Sequence, residues 1–187
     1  EVTCLPVDAG GFVNPAALAE SIREDTVLVS VMAVNNEIGV IQPLAEIGAI
    51  CHARGVLLHT DAAQAAGKID LDVNAMDIDL LSISGHKMYA PKGIGALFVR
   101  RRPRTRLLAE ISGGGQERGF RSGTLPVPLT VALGEAAEIA QNELAREGER
   151  LETLRGQMLA RLLAALGEVA VNGSLMHRVP GNLNIGF

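Results

Sequence analysis

The chain has 187 residues, a net charge of −4 and 48% hydrophobic residues, of which few are aromatic. This composition predicts a packed globular protein with an aliphatic core and excludes a disordered chain. The negative charge gives no general attraction to nucleic acid or anionic membranes, and no apolar run could span a bilayer. Cys4 and Cys51 lack metal-site spacing, and such low cysteine use is typical of a reducing compartment, here the cytoplasm.

The first quarter of the chain alternates strand-like and helix-like segments. Residues 2–7 predict a strand, and an asparagine–proline pair predicts the start of a helix over residues 14–23. Residues 26–32 are apolar and rich in β-branched side chains, which predicts a strand buried on both faces. A helix over residues 43–55 follows, opened by a proline and ended by a glycine.

The next segments continue the alternation. Strands are predicted over residues 56–60, 78–83 and 95–99, the first two ending at Asp61 and Ser84. Strands that alternate with helices imply right-handed β-α-β units and a mainly parallel sheet. The fold class is therefore α/β, with helices flanking the sheet.

The last third of the chain has a different pattern. Residues 127–166 predict two helices, and residues 169–171 begin a new strand. A charge-rich stretch inside the helical region suggests a border between a large domain, residues 1–145, and the start of a smaller α/β domain, residues 146–187. A basic run, Arg100–Arg102 with Arg104 and Arg106, is interpreted as a solvated strand end.

Both ends of the chain have strand-like patterns, and residue 1 is not methionine. We therefore expect an internal fragment of a longer protein, cut at both ends.

A carboxylate and a lysine follow neighbouring predicted strands. Asp61 ends one strand, and Ser84, His86 and Lys87 follow the next. Ligand sites in open α/β sheets gather at the carboxyl ends of the strands. This combination suits pyridoxal 5′-phosphate (PLP), which needs a lysine, an acid beside its pyridine nitrogen and polar groups around its phosphate. Each residue also has a plain alternative: Asp61 as a helix cap, Lys87 as a solvated charge and His86 as a buried polar group.

Six runs in a fixed order narrow these alternatives. The chain resembles the cysteine desulfurases of the nitrogen-fixation and iron–sulfur cluster assembly type, in the fold-type I, class V aminotransferase superfamily. The runs that carry this resemblance are Val34–Gly39, His59–Gln64, Ser84–Lys87, Pro91–Gly95, Gly113–Arg118 and Arg121–Thr124.

The resemblance implies roles for four residues around the cofactor ring. Lys87 matches the lysine that binds PLP covalently, and it is also the catalytic base. Asp61 matches the partner of the pyridine nitrogen, and Gln64 matches the group that hydrogen-bonds the phenolic oxygen. Asn36 matches a residue near the cofactor and the substrate carboxylate.

The resemblance also implies three phosphate ligands and a shared site. Ser84 and His86 match ligands from this chain, whereas Thr124 matches a ligand donated by the neighbouring subunit. The expected assembly is a homodimer whose active site is shared between its subunits. No metal ligand is expected.

The implied reaction is the PLP-dependent removal of sulfur from L-cysteine, giving L-alanine and an enzyme persulfide. The sulfur would pass to an iron–sulfur scaffold or a sulfur-carrier protein, for cluster or thio-cofactor biosynthesis. Neither cysteine of this chain matches the family's sulfur-accepting cysteine, which would fall beyond Phe187. We therefore expect the isolated fragment to be inactive.

Two other functions remain open on the sequence. Another fold-type I PLP enzyme, such as an aminotransferase or a selenocysteine lyase, would share Asp61 and Lys87. A non-catalytic scaffold would retain the fold without binding the cofactor covalently.

Overall fold

A computed structural model describes residues 1–102 and 105–187, so Arg104 of the basic run lies outside the described residues. The described part contains three α-helices, six strands and two short 3₁₀ turns. The helices are α1 (Pro15–Ser21), α2 (Leu44–Ala53) and α3 (Val127–Leu166), and the strands are β1 (Leu28–Ser30), β2 (Leu57–Asp61), β3 (Leu80–Ser84), β4 (Gly95–Val99), β5 (Ala170–Val171) and β6 (Ile185–Gly186).

The main sheet has four strands in the order β1-β2-β3-β4. The first three strands are parallel and β4 is antiparallel to β3. This confirms the predicted α/β class with a mainly parallel sheet. Because β2 and β3 run in the same direction, their carboxyl ends meet at one edge of the sheet.

The two helices of the first half pack on one face of this sheet. Asn14 caps α1 by accepting a hydrogen bond from the backbone N–H of Ala16 at 2.8 Å. Gly55, which follows α2, has a φ of 67° and ends that helix as predicted. The buried core joins both helices to the strands and includes Leu18, Ile47, Cys51, Val29, Leu58, Ile78 and Leu81.

Two strand predictions were wrong in part. Residues 2–6 form no strand, because the single bridge in this segment pairs Val7 with Val13 and leaves the preceding backbone without a partner strand. β1 is shorter than predicted and is buried on one face only, with Leu28 45% exposed. The described helices α1 and α2 cover the face that carries Val29, and no described helix covers the opposite face of β1.

The predicted pair of C-terminal helices is a single helix, α3, of 40 residues. Pro126 is its N-cap and Pro128 lies in its first turn, where neither interrupts the hydrogen-bond ladder. Its charged middle is stabilised by pairs three residues apart, such as Arg150 with Glu147 at 2.6 Å. The proposed domain border at residues 145 and 146 therefore lies inside a helix. Although α3 is long, no helix in the described part of the chain is long and apolar enough to cross a membrane.

The interpretation of the basic run was wrong for its first residue. Arg100 is largely buried and lies 3.6 Å from the Asp79 carboxylate. Its guanidinium also donates to the carbonyl of Ile78 at 2.9 Å and to the amide oxygen of Asn74 at 3.0 Å. Arg100 therefore ties the end of β4 to the loop before β3, and it is not a solvated strand end.

A second arginine, Arg178, holds the C-terminal segment together through hydrogen bonds. Arg178 is 2% exposed and donates to the Ser174 carbonyl at 3.0 Å and to the Asn182 amide oxygen at 2.8 Å. Burial, and then the charge of Arg155, lower the pKa of Arg178. Asn182 in turn donates to the carbonyl of Glu37 at 2.9 Å. These contacts attach the C-terminal segment to the turn that carries Asn36.

Candidate functional site

The ends of β2 and β3 bring two predicted site residues to one edge of the sheet. Asp61 is the last residue of β2, and it pairs in register with Ser82 of β3. Ser84 ends β3 two residues later, where it pairs with Gly95 of β4. The sequence prediction that these polar groups share the carboxyl edge of the sheet is confirmed.

Asp61 also organises the chain that follows it. Its carboxylate accepts a hydrogen bond from the backbone N–H of Ala63 at 2.8 Å. This contact starts a series of turns over residues 63–68, which carries Gln64. The alternative cap-like role of Asp61 is therefore present, and one carboxylate oxygen is used for it.

A cavity of about 740 Å³ lies beside these turns, between the sheet edge and α3. Among the predicted site residues, its lining includes Asn36, Gln64 and Lys87. Lys68, which the sequence reasoning did not select, also lines it. The cavity thus brings the amide side chains of Asn36 and Gln64 together with two lysines, from three separate loops.

Lys87 reaches this cavity from a tight turn. The 3₁₀ turn Gly85–Met88 follows β3 directly, and Tyr89 ends it with a φ of 65°. A positive φ at a bulky aromatic residue is strained, and such strain concentrates at functional sites. Tyr89 is 96% exposed, so burial of its side chain does not explain this conformation.

A close approach of the backbone holds the turn in place. A Cβ on Gly85 would lie 2.8 Å from the carbonyl oxygen of Ile94. On the other side, a Cβ on Gly67 would lie 2.9 Å from that of Ala140 and 3.2 Å from Cγ of Met88. Only glycine fits at these two positions, so α3, the 3₁₀ turn and the residues around Gly67 pack as one unit.

Ser84 and His86 form a pair beside Lys87. The Ser84 hydroxyl and Nδ1 of His86 are 3.0 Å apart. Both lie at the carboxyl edge of the sheet, although neither lines the cavity. The hydrogen bond occupies Nδ1 and orients the imidazole, so that Nε2 remains the nitrogen with which His86 can bind an anion.

Asn36 is held by a turn of its own. The side-chain oxygen of Asn35 accepts hydrogen bonds from the backbone N–H groups of Glu37 and Ile38, each at 2.9 Å. Gly39 follows with a φ of 68°, where a Cβ would lie 2.4 Å from Asn182. The turn is thus fixed both locally and by the C-terminal segment, which leaves the exposed Asn36 at the cavity.

Thr124 is not brought to this cavity. It lies in an exposed loop over residues 111–124, which we call the glycine loop. The loop folds on itself: Gly123 donates to Oε1 of Gln116 at 2.9 Å, and Gly115 donates to the Ser122 hydroxyl at 3.1 Å. The chain as described therefore separates Thr124 from the other predicted ligands.

Lys68 is the site residue that sequence reasoning missed. Its Nζ donates to Oε1 of Gln64 at 3.0 Å. Burial, and then the charge of Lys87, lower the pKa of Lys68. The signal in the sequence was the spacing of four residues from Gln64, placed directly after a glycine.

No cluster of three or more histidine, cysteine, aspartate or glutamate residues suited to a metal ion occurs within residues 1–102 and 105–187. The chemistry that the described site offers is that of amines, amides, carboxylates and an imidazole.

Known proteins named as cysteine desulfurases match this chain over its whole length. A cysteine desulfurase IscS from Anaeromyxobacter sp. (strain Fw109-5) is 57% identical over all 187 residues, which cover 46% of that protein. The human cysteine desulfurase is 55% identical over the same residues, which cover 41% of its length. The chain thus spans less than half the length of these curated relatives.

Solved structures share the fold. A NifS-like protein superposes with a TM-score of 0.94 at 37% identity, covering 100% of this chain and 51% of the other. DndA from Streptomyces lividans gives a TM-score of 0.88 at 45% identity, over 97% of this chain and 51% of its own. A structure described as SspA in complex with cysteine gives 0.71 at 48% identity, over 74% and 40% of the two chains. The predicted fold-type I architecture is confirmed.

The model of the family described as aminotransferase class-V matches residues 1–187, the full length of the sequence. The predicted superfamily is therefore confirmed, and the chain belongs to the aminotransferase class-V family.

Proposed function

We propose that this protein is a PLP-dependent cysteine desulfurase, which removes sulfur from L-cysteine and releases L-alanine. The observation that carries the proposal is that Asn36, Gln64 and Lys87 all line the same cavity. Relatives named as cysteine desulfurases match the chain over its whole length, including all three residues' segments. The family is itself PLP-dependent.

The residues present fit this cofactor. The cavity volume of about 740 Å³ lies in the range typical of small-molecule sites. The cavity lining supplies the Lys87 amine and the amides of Asn36 and Gln64, and the adjoining sheet edge supplies the Asp61 carboxylate and the Ser84–His86 pair. These are the donors and charges that an anionic, aromatic aldehyde requires. When bound, PLP supplies an electron sink for bonds at the substrate's α-carbon.

Each residue then has a defined task. Lys87 is the covalent attachment point of the cofactor and the base that removes a proton from the α-carbon of cysteine. Asp61 keeps the pyridine nitrogen protonated, through the carboxylate oxygen that Ala63 does not use. Gln64 donates to the phenolic oxygen, and Asn36 lies near the substrate carboxylate.

Ser84 and His86 hold the phosphate from this chain. His86 uses Nε2 for that contact, because Nδ1 is bonded to the Ser84 hydroxyl. Thr124 completes the phosphate site of a neighbouring subunit, which agrees with its place in an exposed loop away from this cavity. The active form is then a homodimer with shared sites.

Neither cysteine of this chain accepts the sulfur in this proposal. Burial, and then the charge of Asp79, raise the pKa of the Cys51 thiol to about 11, and its side chain is 1% exposed. Such a thiol is neither ionised nor accessible near neutral pH. Cys4 is exposed but does not line the cavity. The accepting thiol belongs to another segment of the full-length protein.

The sulfur then passes to an iron–sulfur scaffold or to a sulfur-carrier protein, and the setting is the cytoplasm. A reducing compartment keeps the accepting thiol available as a nucleophile.

The test uses the full-length protein loaded with PLP and supplied with L-cysteine. We expect alanine and sulfide in equal amounts in the presence of a reductant, together with a visible absorbance band from the bound cofactor. Lys87→Ala removes both, whereas Lys92→Ala, at an exposed lysine outside the cavity, retains both. A keto acid in place of alanine would identify an aminotransferase, and a wild-type protein without the band would identify a scaffold.

A further inference from the structure

The cavity contains a second lysine with an unusual environment. Lys68 is half-buried, and its Nζ forms no ion pair with a carboxylate in the described part of the chain. A polar group that loses part of its hydration needs another hydrogen-bond partner. The side-chain hydrogen bond of Lys68 goes to Oε1 of Gln64, at 3.0 Å.

The direction of this hydrogen bond determines which end of the Gln64 amide is available. An ammonium group can only donate, so it must bond the carbonyl end of the amide. With Oε1 held by Lys68, the NH₂ group of Gln64 is the end that remains for a ligand. Without Lys68 the amide could rotate and present its oxygen instead.

The orientation matters for the ligand proposed above. The ionised phenolic oxygen of PLP accepts hydrogen bonds and cannot donate one. A Gln64 that presented Oε1 to this oxygen would place two acceptors in contact and would repel it. A fixed donor is therefore required at Gln64, and a glutamine alone does not provide it.

The position of Lys68 is itself fixed by packing. Gly67, which precedes it, has a φ of 73° and lies against Ala140 and Met88. Met88 is in the same 3₁₀ turn as Lys87. Burial, and then the charge of Lys87, lower the pKa of Lys68, so the two lysines lie within electrostatic range of each other.

We propose that Lys68 is a positioning residue, which holds Oε1 of Gln64 and so turns the amide donor of Gln64 toward the phenolic oxygen of the cofactor. The role rests on the proposed function, because it needs PLP in this cavity. Lys68 does not touch the reacting atoms. It acts through Gln64.

The consequence is a change in the acid–base behaviour of the bound cofactor. A donor on the phenolic oxygen stabilises its negative charge, most strongly when the proton shared with the lysine-linked nitrogen has been lost. Removing that donor raises the pH at which this proton leaves. The visible absorbance of the bound cofactor reports this midpoint directly.

The experiment is a double-mutant cycle on the full-length holoenzyme, followed by absorbance against pH. Lys68→Met removes the ammonium group that holds Oε1 of Gln64 while it keeps most of the length of the side chain. We expect it to raise the midpoint by about one pH unit, a tenfold change in proton affinity. Lys68→Arg retains a cationic donor and should restore most of the midpoint. Lys92→Met, at an exposed lysine outside the cavity, should leave it unchanged.

The second arm separates positioning from simple charge. In a Gln64→Ala background, Lys68→Met should no longer move the midpoint, because the group through which Lys68 acts is gone. An equal shift in both backgrounds would mean that the charge of Lys68 acts directly on the cofactor, and it would overturn the proposal. A wild-type protein with no cofactor band would overturn the proposed function as well, so the two failures are distinguishable.

Discussion

The cavity and the glycine loop carry predicted ligands of the same cofactor, yet they are built in opposite ways. Around the cavity, Gln64, Lys68 and Lys87 lie on turns that pack against α3 and against each other. In the glycine loop, Thr124 is exposed, and the hydrogen bonds of the loop are made within the loop itself. One region is organised by contacts with the rest of this chain, and the other is not.

The difference teaches which part of the site this chain can organise alone. Packing fixes the side chains that would hold the ring of the cofactor and move protons. The glycine loop is ordered by hydrogen bonds within itself, but its residues do not line the cavity. A threonine in that setting suits a ligand offered to a second subunit, which is the arrangement that the proposed homodimer requires.

The largest expected effect is on the reaction rate of the full-length enzyme, and it compares a residue near the cavity with a residue of the glycine loop. Asp61→Ala removes the charge that we propose beside the cofactor ring and should lower the rate by about 10²- to 10³-fold. Thr124→Ala removes one proposed hydrogen bond to phosphate and should lower the rate only about tenfold. Steady-state kinetics at saturating PLP provides the measurement.

Mixed dimers test whether Thr124 acts in the active site of its own subunit or in that of the neighbouring subunit. A dimer that combines a Lys87→Ala subunit with a Thr124→Ala subunit contains one site with both lesions and one with neither, if Thr124 acts across the interface. Half of the wild-type activity should therefore return. Activity that stays at the level of the separate variants would place Thr124 in its own subunit's site.

Two glycines with the same backbone conformation sharpen the contrast in packing. Gly67 has a φ of 73° and Gly115 a φ of 72°, but a Cβ on Gly67 would lie 2.9 Å from Ala140, whereas a Cβ on Gly115 would meet nothing within 4 Å. Gly115→Ala should cost only the left-handed strain, about 1 kcal/mol. Gly67→Ala adds a clash and should cost about 3 kcal/mol of unfolding free energy.

Chemical denaturation of the two variants measures both costs. Equal losses of stability would mean that the turn carrying Gly67 yields easily, and the packed unit described for the cavity would then be wrong. A larger loss for Gly67→Ala, accompanied by weaker PLP retention, would support it.

The sequence predicted the carboxyl edge of the sheet well because that edge depends on local signals. Apolar strands that end in Asp61 and Ser84 specify both the strand direction and the position of the polar groups. It failed for Arg100, whose contacts with Asp79 and Asn74 join segments that are 21 or more residues apart. It also failed for Lys68, because a spacing of four residues from Gln64 does not by itself distinguish a half-buried lysine from a solvated one.

The contacts that a sequence does not reveal also explain the errors in the predicted helices and strands. The charge-rich middle of α3 suggested a break, but charged pairs three residues apart support a continuous helix. Residues 2–6 have strand propensity without a paired strand beside them. Whether a propensity is realised depends on neighbours that composition and periodicity do not reveal.

The two cysteines, one buried and one exposed, should differ in how they make the unfolding free energy depend on pH. Burial, and then Asp79, raise the pKa of Cys51 from 9.0 to about 11. Between these values the unfolded thiol loses its proton first, so the unfolding free energy should fall as the pH rises, by roughly 3 kcal/mol in total. The loss is absent below pH 9 and complete above pH 11.

Other groups titrate in this range, so the measurement is the difference between variants. Cys51→Ala should flatten the pH dependence of stability relative to the wild type. Cys4→Ser, at an exposed position, should leave it unchanged. A Cys4 variant with the larger effect would contradict the burial assigned to Cys51.

The smallest expected effect concerns a buried hydroxyl in the packed region. Thr60 is fully buried in β2, and its Oγ1 has no hydrogen-bond partner within the described residues. An unsatisfied buried hydroxyl destabilises the folded state, so Thr60→Val should raise the unfolding free energy by about 1 kcal/mol. Thr26 provides the matched control, because its hydroxyl accepts from the backbone N–H of Arg23 at 2.9 Å and Thr26→Val should destabilise. If both variants lost stability in thermal unfolding, the Thr60 hydroxyl would have a partner in the folded protein, and the packing of this strand would have to be revised.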